Sequence, residues 1–328
     1  PLSNRMDNLT HTLTGVALSR AGLNRLAPHA GWILVLAANA ADIDAVSLLS
    51  GPAAYLSYHR DFTHAIAFVP LVAILPLLVV RPFIRGNFGW KRSYLISLSG
   101  AAAHPVLDWL NTYGVRLWRP FSGEWHQASL VNVADLWIWA VLLVALLWPL
   151  LSRLVSSEIG ARAGTGRGIA MFALVFLVLY PAFRYVLHER ALAVLDARLH
   201  HGRTPLRVAA FPDFANPFRW VGLAEGGAFY VRYDLNLLAE FDPSQGQVYY
   251  KPEPGPAIEA ARATAVFREF LRFSQYPYWR AVPVDEPEGA VLVEAMDLRF
   301  GPPSEPRFVA AALVRRDHRV ERTWFRFR

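Results

Sequence analysis

Seven ionisable residues in the first 110 positions have the side chains that hold divalent cations. They are His11 in LTHTLTG, Asp42 and Asp44 in ANAADIDAV, His59 and His64 in YHRDFTHA, and His104 and Asp108 in AHPVLDWLNTYG. His104 and Asp108 are four apart, so on a helix they share one face and one ion can bridge them. Neutral imidazoles and carboxylates without thiols suit Zn²⁺, Mn²⁺ or Fe²⁺. Seven ligands exceed the needs of one tetrahedral ion and suit two ions that keep positions open for water. Each piece also has a plain structural reading: a satisfied core histidine, a helix end at the headgroups, a solvated loop, or a pair bonded across one turn. The joint pattern is harder to explain that way. Charge at bilayer depth costs about 2.5–3.5 kcal/mol per group even on the gentler scales. Paying this repeatedly at one depth makes sense if the groups share a cation.

The elements that must position these residues are apolar. Five segments read as membrane-embedded: 31–51, 65–80, 93–110, 136–151 and 168–183. Each is close to the roughly 20 residues that cross a bilayer. The first and third carry the acids and His104, so they belong inside a bundle or beside a water-filled cavity. Residues 7–20 read as a further short helix. Basic residues concentrate in the 81–92 and 152–167 connections, which places those loops in the cytoplasm and the other loops outside.

The composition agrees. Of 328 residues, 54% are hydrophobic and 18% charged, too apolar for an ordinary soluble enzyme. The formal charge of +7 fits cytoplasmic loops and anionic headgroups, and is not read as nucleic-acid binding. The absence of cysteine excludes disulfides, thiolate zinc sites and cysteine nucleophiles. PLSNR before Met6 reads as a cloning remnant, and no cleavable signal peptide is visible. From about 189 the long apolar runs stop. Alternating stretches such as GAFYVRYDLNLLAEFD, GQVYYKPE, GAVLVEAMDLRFG, RFVAAALVRRD and RVERTWFRFR read as strands, and 255–274 as one amphipathic helix. The expectation is an α-helical integral membrane bundle (6–188) followed by an extracytoplasmic α+β domain (189–328) of unassigned role.

The ordered set MDNLTHTLTG, ADIDAV, HRDFTHA and HPVLDWLNTYGVRLWRPF resembles the YdjM-like (DUF457) membrane-bound metal-dependent hydrolase family over residues 6 to 150. That family is distantly similar to the zinc-dependent phospholipase C and P1 nuclease group, whose HxxxD pair is matched by His104 and Asp108. Two departures stand out. Ala41 replaces the first proline of PDxD, and Asp61 replaces the glycine of HRGxTH. The second puts the loop's backbone conformation in question and adds a carboxylate behind the ligands.

The resemblance implies a hydrolase of the bacterial inner membrane that uses two divalent ions, zinc with manganese as the alternative, with its site facing outward. The expected substrate is a lipid or lipid-linked phosphoester. The ligand set is His11, Asp42, Asp44, His59, His64, His104 and Asp108, with Asp108 or Asp44 bridging. Arg60 is expected to neutralise phosphate charge, with a headgroup anchor as its plain alternative, and Asp61 is grouped with it as catalytic. Asn111, Tyr113 and Asp135 are weaker candidates to orient ligands. Trp109, Trp118, Phe121 and Trp125 read as interface lining. The rival classes are a metal or proton transporter, and a protein in which a closed metal site is only a staple. Oligomeric state is not legible.

Overall fold

A computed structural model describes residues 2–159 and 165–327; side chains are described from residue 8 onward, those of 156, 157 and 159 excepted. Met6 and Asp7 of the first quoted motif therefore lie outside the described side chains. The helices of the membrane unit are α1 (Leu2–Arg20), α2 (Ala30–Ala37), α3 (Pro52–Tyr58), α4 (Val69–Val72), α5 (Leu75–Val80), α6 (Trp90–Leu110), α7 (Leu136–Ile159) and α8 (Arg167–Asp196). Between α2 and α3, Ala40–Ser50 winds as a 3₁₀ helix of 11 residues. Such runs seldom exceed three or four residues and often mark strain or function. This one carries Asp42 and Asp44.

Among the described residues, three helical stretches are long and apolar enough to cross a membrane: Ile66–Phe83, Leu136–Val155 and Arg167–Asp196. A fourth is obtained if α2 and the 3₁₀ run, bent by 44°, count as one span. The five expected spans are thus three or four. The segment expected over 93–110 is the 21-residue helix α6. It is long enough, but Lys91, Arg92, three serines, Gly100, His104 and Asp108 make it too polar to qualify.

Two glycines set the helix spacing. A Cβ on Gly15 of α1 would stand 2.8 Å from the Leu34 carbonyl oxygen, and one on Gly100 of α6 would stand 3.1 Å from the same atom. α2 is therefore gripped from both sides at backbone contact, as small residues permit in membrane bundles. Each glycine lies one turn from a ligand, His11 on α1 and His104 on α6.

The C-terminal part contains two four-stranded antiparallel sheets, each a simple meander. The first is β1 (Arg207–Pro212), β2 (Arg219–Glu225), β3 (Phe229–Asn236) and β4 (Gln247–Tyr250). The second is β5 (Pro277–Val284), β6 (Ala290–Asp297), β7 (Phe308–Val314) and β8 (Val320–Phe327). The amphipathic stretch expected as one helix is two, α9 (Pro256–Arg262) and α10 (Ala265–Phe273). Thr264 separates them in an extended conformation, its hydroxyl donating to the Ala261 carbonyl. α8 runs through the expected boundary at 188/189 without a break. Its last turns bury Leu187, Ala191 and Leu195 against Trp220, Val231, Tyr233 and Leu235 of the first sheet. The second sheet packs on α9 and α10, and the same core takes in Leu56 of α3 and Tyr113. The segments that carry the candidate ligands are thus built into the core of the C-terminal domain.

Candidate metal centre

All seven sequence-derived ligands converge. His104, on α6, brings Nδ1 within 2.6 Å of the Ala38 carbonyl oxygen. A carbonyl only accepts, so Nδ1 carries the hydrogen and Nε2 presents a bare lone pair. His64 is held the same way: its Nδ1 lies 3.2 Å from Asp44 Oδ2 and 3.0 Å from the Thr63 hydroxyl. Its Nε2 is therefore also turned inward, 3.0 Å from Nε2 of His104. Asp42 Oδ1 stands 3.5 Å from both nitrogens. Asp108 Oδ2 stands 3.2 Å from that of His64 and 3.3 Å from that of His104. Four acceptor atoms from three elements thus face one another across a buried point. Ligands on bonds of about 2.0–2.1 Å at the tetrahedral angle would be separated by about 3.3 Å. The residues present fit a divalent ion.

The remaining ligands flank this cage. The His11 ring stacks on His104 with centroids 3.7 Å apart, and its Nε2 is 3.3 Å from Asp108 Oδ1. His59 places Nδ1 2.7 Å from Asp44 Oδ1. His11, His104 and Asp108 form one metal-capable group; Asp42, His64 and His104 a second; Asp42, Asp44 and His59 a third.

Asp44 accepts from four donors: the His59 and His64 rings, the Thr63 hydroxyl and the Arg60 backbone N–H. It fixes both imidazoles in the tautomer that leaves Nε2 available, which is how carboxylates behind metal ligands act. Burial pushes the His59 pKa down against the opposing pull of Asp44, so its imidazole is neutral. Burial works in the same direction on His64, but Asp108, Asp42 and Asp44 outweigh it and hold its pKa well above the ordinary imidazole range.

Arg60 is buried beside the cage, with Nη2 3.0 Å from Asp108 Oδ1. Nη1 donates to Asn111 Oδ1 and to the Gly114 carbonyl, and the guanidinium lies 4.6 Å over the Tyr113 ring. The residue adopts φ 58°, a left-handed conformation uncommon outside glycine. Asp61, standing where the family pattern has glycine, has φ −102°, so this loop needs no glycine there. Asp61 does not join the cage. Its carboxylate pairs with Arg119 Nε at 2.5 Å and Arg116 Nη1 at 3.3 Å, which ties the 59–64 loop to the 111–122 loop. The expectation that it acts with Arg60 is corrected to this positioning role.

Asn111 meets Arg60 and not a candidate ligand, its Oδ1 also accepting from the Tyr113 and Gly114 backbone N–H groups. Asp135 caps α7 instead, accepting from the Trp137 and Ile138 N–H groups. Trp109, Trp118 and Phe121 are exposed, whereas Trp125 packs against Tyr113 and Phe273. Sequence reasoning passed over Thr63, although it lies inside the quoted HRDFTHA motif, and the Ala38 carbonyl, which no side-chain pattern can reveal. It also missed Arg299. This buried arginine, held by Asp297 at 2.8 Å, donates to the Thr112 carbonyl and to Gln127, so it fastens the C-terminal domain to the loop that carries Asn111.

Apolar helices long enough to span a bilayer, together with a buried histidine–aspartate cage, define a membrane protein able to hold a metal ion. The YdjM inner membrane protein family matches residues 6–191, and the chain belongs to that family. It is also 28% identical over 327 residues to the uncharacterized protein YfhP of Bacillus subtilis (strain 168), with 95% of this chain and 92% of that protein covered. No solved structure matches the chain.

Proposed function

We propose that the chain is a membrane-embedded metal-dependent hydrolase that cleaves a phosphoester in a lipid or lipid-linked substrate, with its site on the outer face of the inner membrane. The observation that carries the metal reading is the convergence of His64 Nε2, His104 Nε2, Asp42 Oδ1 and Asp108 Oδ2: the two nitrogens are 3.0 Å apart, each carboxylate oxygen stands 3.2 to 3.5 Å from both, and each Nδ1 is committed elsewhere. Zinc is the ion whose ligand preferences this set meets best, with manganese second. A bound ion of this kind supplies a water of lowered pKa and polarises a phosphoryl oxygen.

The chain's own groups account for the rest. Asp108 directs Oδ2 to the cage and Oδ1 to His11 and Arg60. It is therefore the better candidate to bridge two ions, because Asp44 is already taken by four donors. Arg60 brings a guanidinium to the edge of the cage, where charge develops on a phosphoryl group, and guanidinium geometry suits its oxygens. The phosphoester and lipid assignments rest on the family resemblance and on the position of the cage among membrane helices. Detergent-purified protein should hydrolyse bis-p-nitrophenyl phosphate or a short-chain phospholipid, lose this activity to a chelator and regain it with zinc or manganese. His104→Ala should be inactive. Metal-replete protein with no activity on phosphodiesters or phosphomonoesters would remove the hydrolase assignment and leave the metal site standing.

A further inference from the structure

A cleft of about 280 Å³ opens between the 125–129 loop, the end of α8, strand β1 and the Gln275–Tyr276 turn, outside the metal cage. Its hydrogen-bonding walls are His126, Gln127, His188 and Gln275, and its apolar walls include Phe211 and Tyr276. The volume falls just below the roughly 300–1,000 Å³ usual for small-molecule sites, enough for one ring-sized group.

Charge narrows the occupant. Among the described residues, no aspartate, glutamate, lysine or arginine lines the cleft. A phosphate or an ammonium group entering it would lose water and meet no unpaired charge: the neighbouring Arg207, stacked on Tyr276, is already paired with Glu225, and Arg299, which donates to Gln127, with Asp297. A bare hydrocarbon would leave the buried His126 Nε2 without a partner. The polar walls both donate and accept: His126 Nε2 is buried with no partner among the described residues, and the Gln127 amide N–H donates to Gln275 Oε1 at 3.2 Å. Hydroxyl groups also both donate and accept, and the C–H face of a sugar ring pairs with apolar and aromatic walls.

Depth narrows it further. His188 and Leu192 lie on α8 beyond the apolar run that ends at Phe183. Phe183, Tyr185, Trp118, Phe121 and Trp137 are exposed around this end of the bundle, an arrangement that marks the headgroup layer. We propose that this cleft binds an uncharged polyhydroxyl ring, the sugar of a neutral glycolipid headgroup or a free saccharide. The inference stands whether or not the metal cage is catalytic.

The test reconstitutes the full chain in phosphatidylcholine discs containing equal small fractions of monoglucosyl diacylglycerol, phosphatidylglycerol and diacylglycerol. Retained lipid is then counted by native mass spectrometry after transfer to a sugar-free detergent. The glucosyl lipid should be retained about tenfold over the other two, and Gln275→Leu and His126→Phe should each abolish that preference, the loss expected for one or two hydrogen bonds. Metal content unchanged in both variants shows that they fold. Displacement by free methyl glucoside would show that the sugar alone suffices; retention in its presence would show that the lipid is the ligand. Phosphatidylglycerol held as well as the glucosyl lipid, or a preference unmoved by both substitutions, would overturn the proposal.

Discussion

At the scale of residues, the cage makes sharp demands. Asp108→Ala removes a carboxylate shared by the cage, His11 and Arg60, and leaves the Arg60 guanidinium without its partner at 3.0 Å. Breaking a buried pair in this way costs about 3–5 kcal/mol. The expected result is loss of metal together with a lower Tm. Asp44→Asn should act differently, because Asp44 orients ligands and does not complete the cage. Metal affinity should fall about 10–100-fold, the usual effect of such a group, while binding persists; isothermal titration with zinc distinguishes the two outcomes. His64 Nε2 must be free of its proton to coordinate, so metal affinity should climb with pH and plateau only above the His64 pKa, which the neighbouring carboxylates hold, against burial, well above the ordinary imidazole range. A flat profile between pH 5.5 and 8 would deny the imidazoles a role. The seven candidate ligands were legible because ionisable groups inside apolar segments are conspicuous. Their division of labour was not. Whether Asp44 or Asp42 enters the cage depends on the turn of an 11-residue 3₁₀ helix that residue types do not announce. Asp61 sits between two ligands in sequence yet turns to Arg116 and Arg119.

At the scale of elements, Gly15 and Gly100 set the distance between the helices that bear His11 and His104. A methyl group on either meets backbone atoms of α2, which cannot swing aside as a side chain can. Gly100→Ala and Gly15→Ala should each destabilise by about 1–3 kcal/mol, the ordinary cost of overpacking. Each should also weaken metal binding, since the displaced helix carries its ligand along. Unchanged zinc affinity in both variants would separate helix spacing from the site. The strands found in the sequence were those with clear alternation, β3, β4 and β6 to β8. β1 and β5 were missed because both are edge strands, where Pro212, Pro277 and Pro283 are tolerated and mask the pattern. β2 was hidden by Gly222, where a Cβ would press on Leu195 of α8 at 3.0 Å. The span count fell from five to three or four because α6 has the length of a span and the polarity of a site.

At the scale of the whole molecule, the C-terminal domain supports the site. Leu56 and Tyr113, each near metal-site residues in sequence, share a core with Phe267, Phe270 and Phe273, and Arg299 reaches across to the Thr112 carbonyl. Arg299→Met should lower the Tm and weaken zinc binding without touching any ligand, while a surface change such as Arg319→Ala should do neither; equal metal affinity in the two would make the domain a passenger. None of this coupling was legible, because the contacting residues lie almost 190 positions apart.

The account rests on a cation held by His64, His104, Asp42 and Asp108, and metal content addresses that directly. Protein purified in detergent without chelators, measured by inductively coupled plasma mass spectrometry beside Asp108→Ala, should carry at least one equivalent of zinc or manganese per chain that the variant lacks. A second equivalent would fill one of the flanking groups. Metal-free wild type that fails to take up either ion on addition, or an Asp108→Ala protein as fully loaded as wild type, would contradict it.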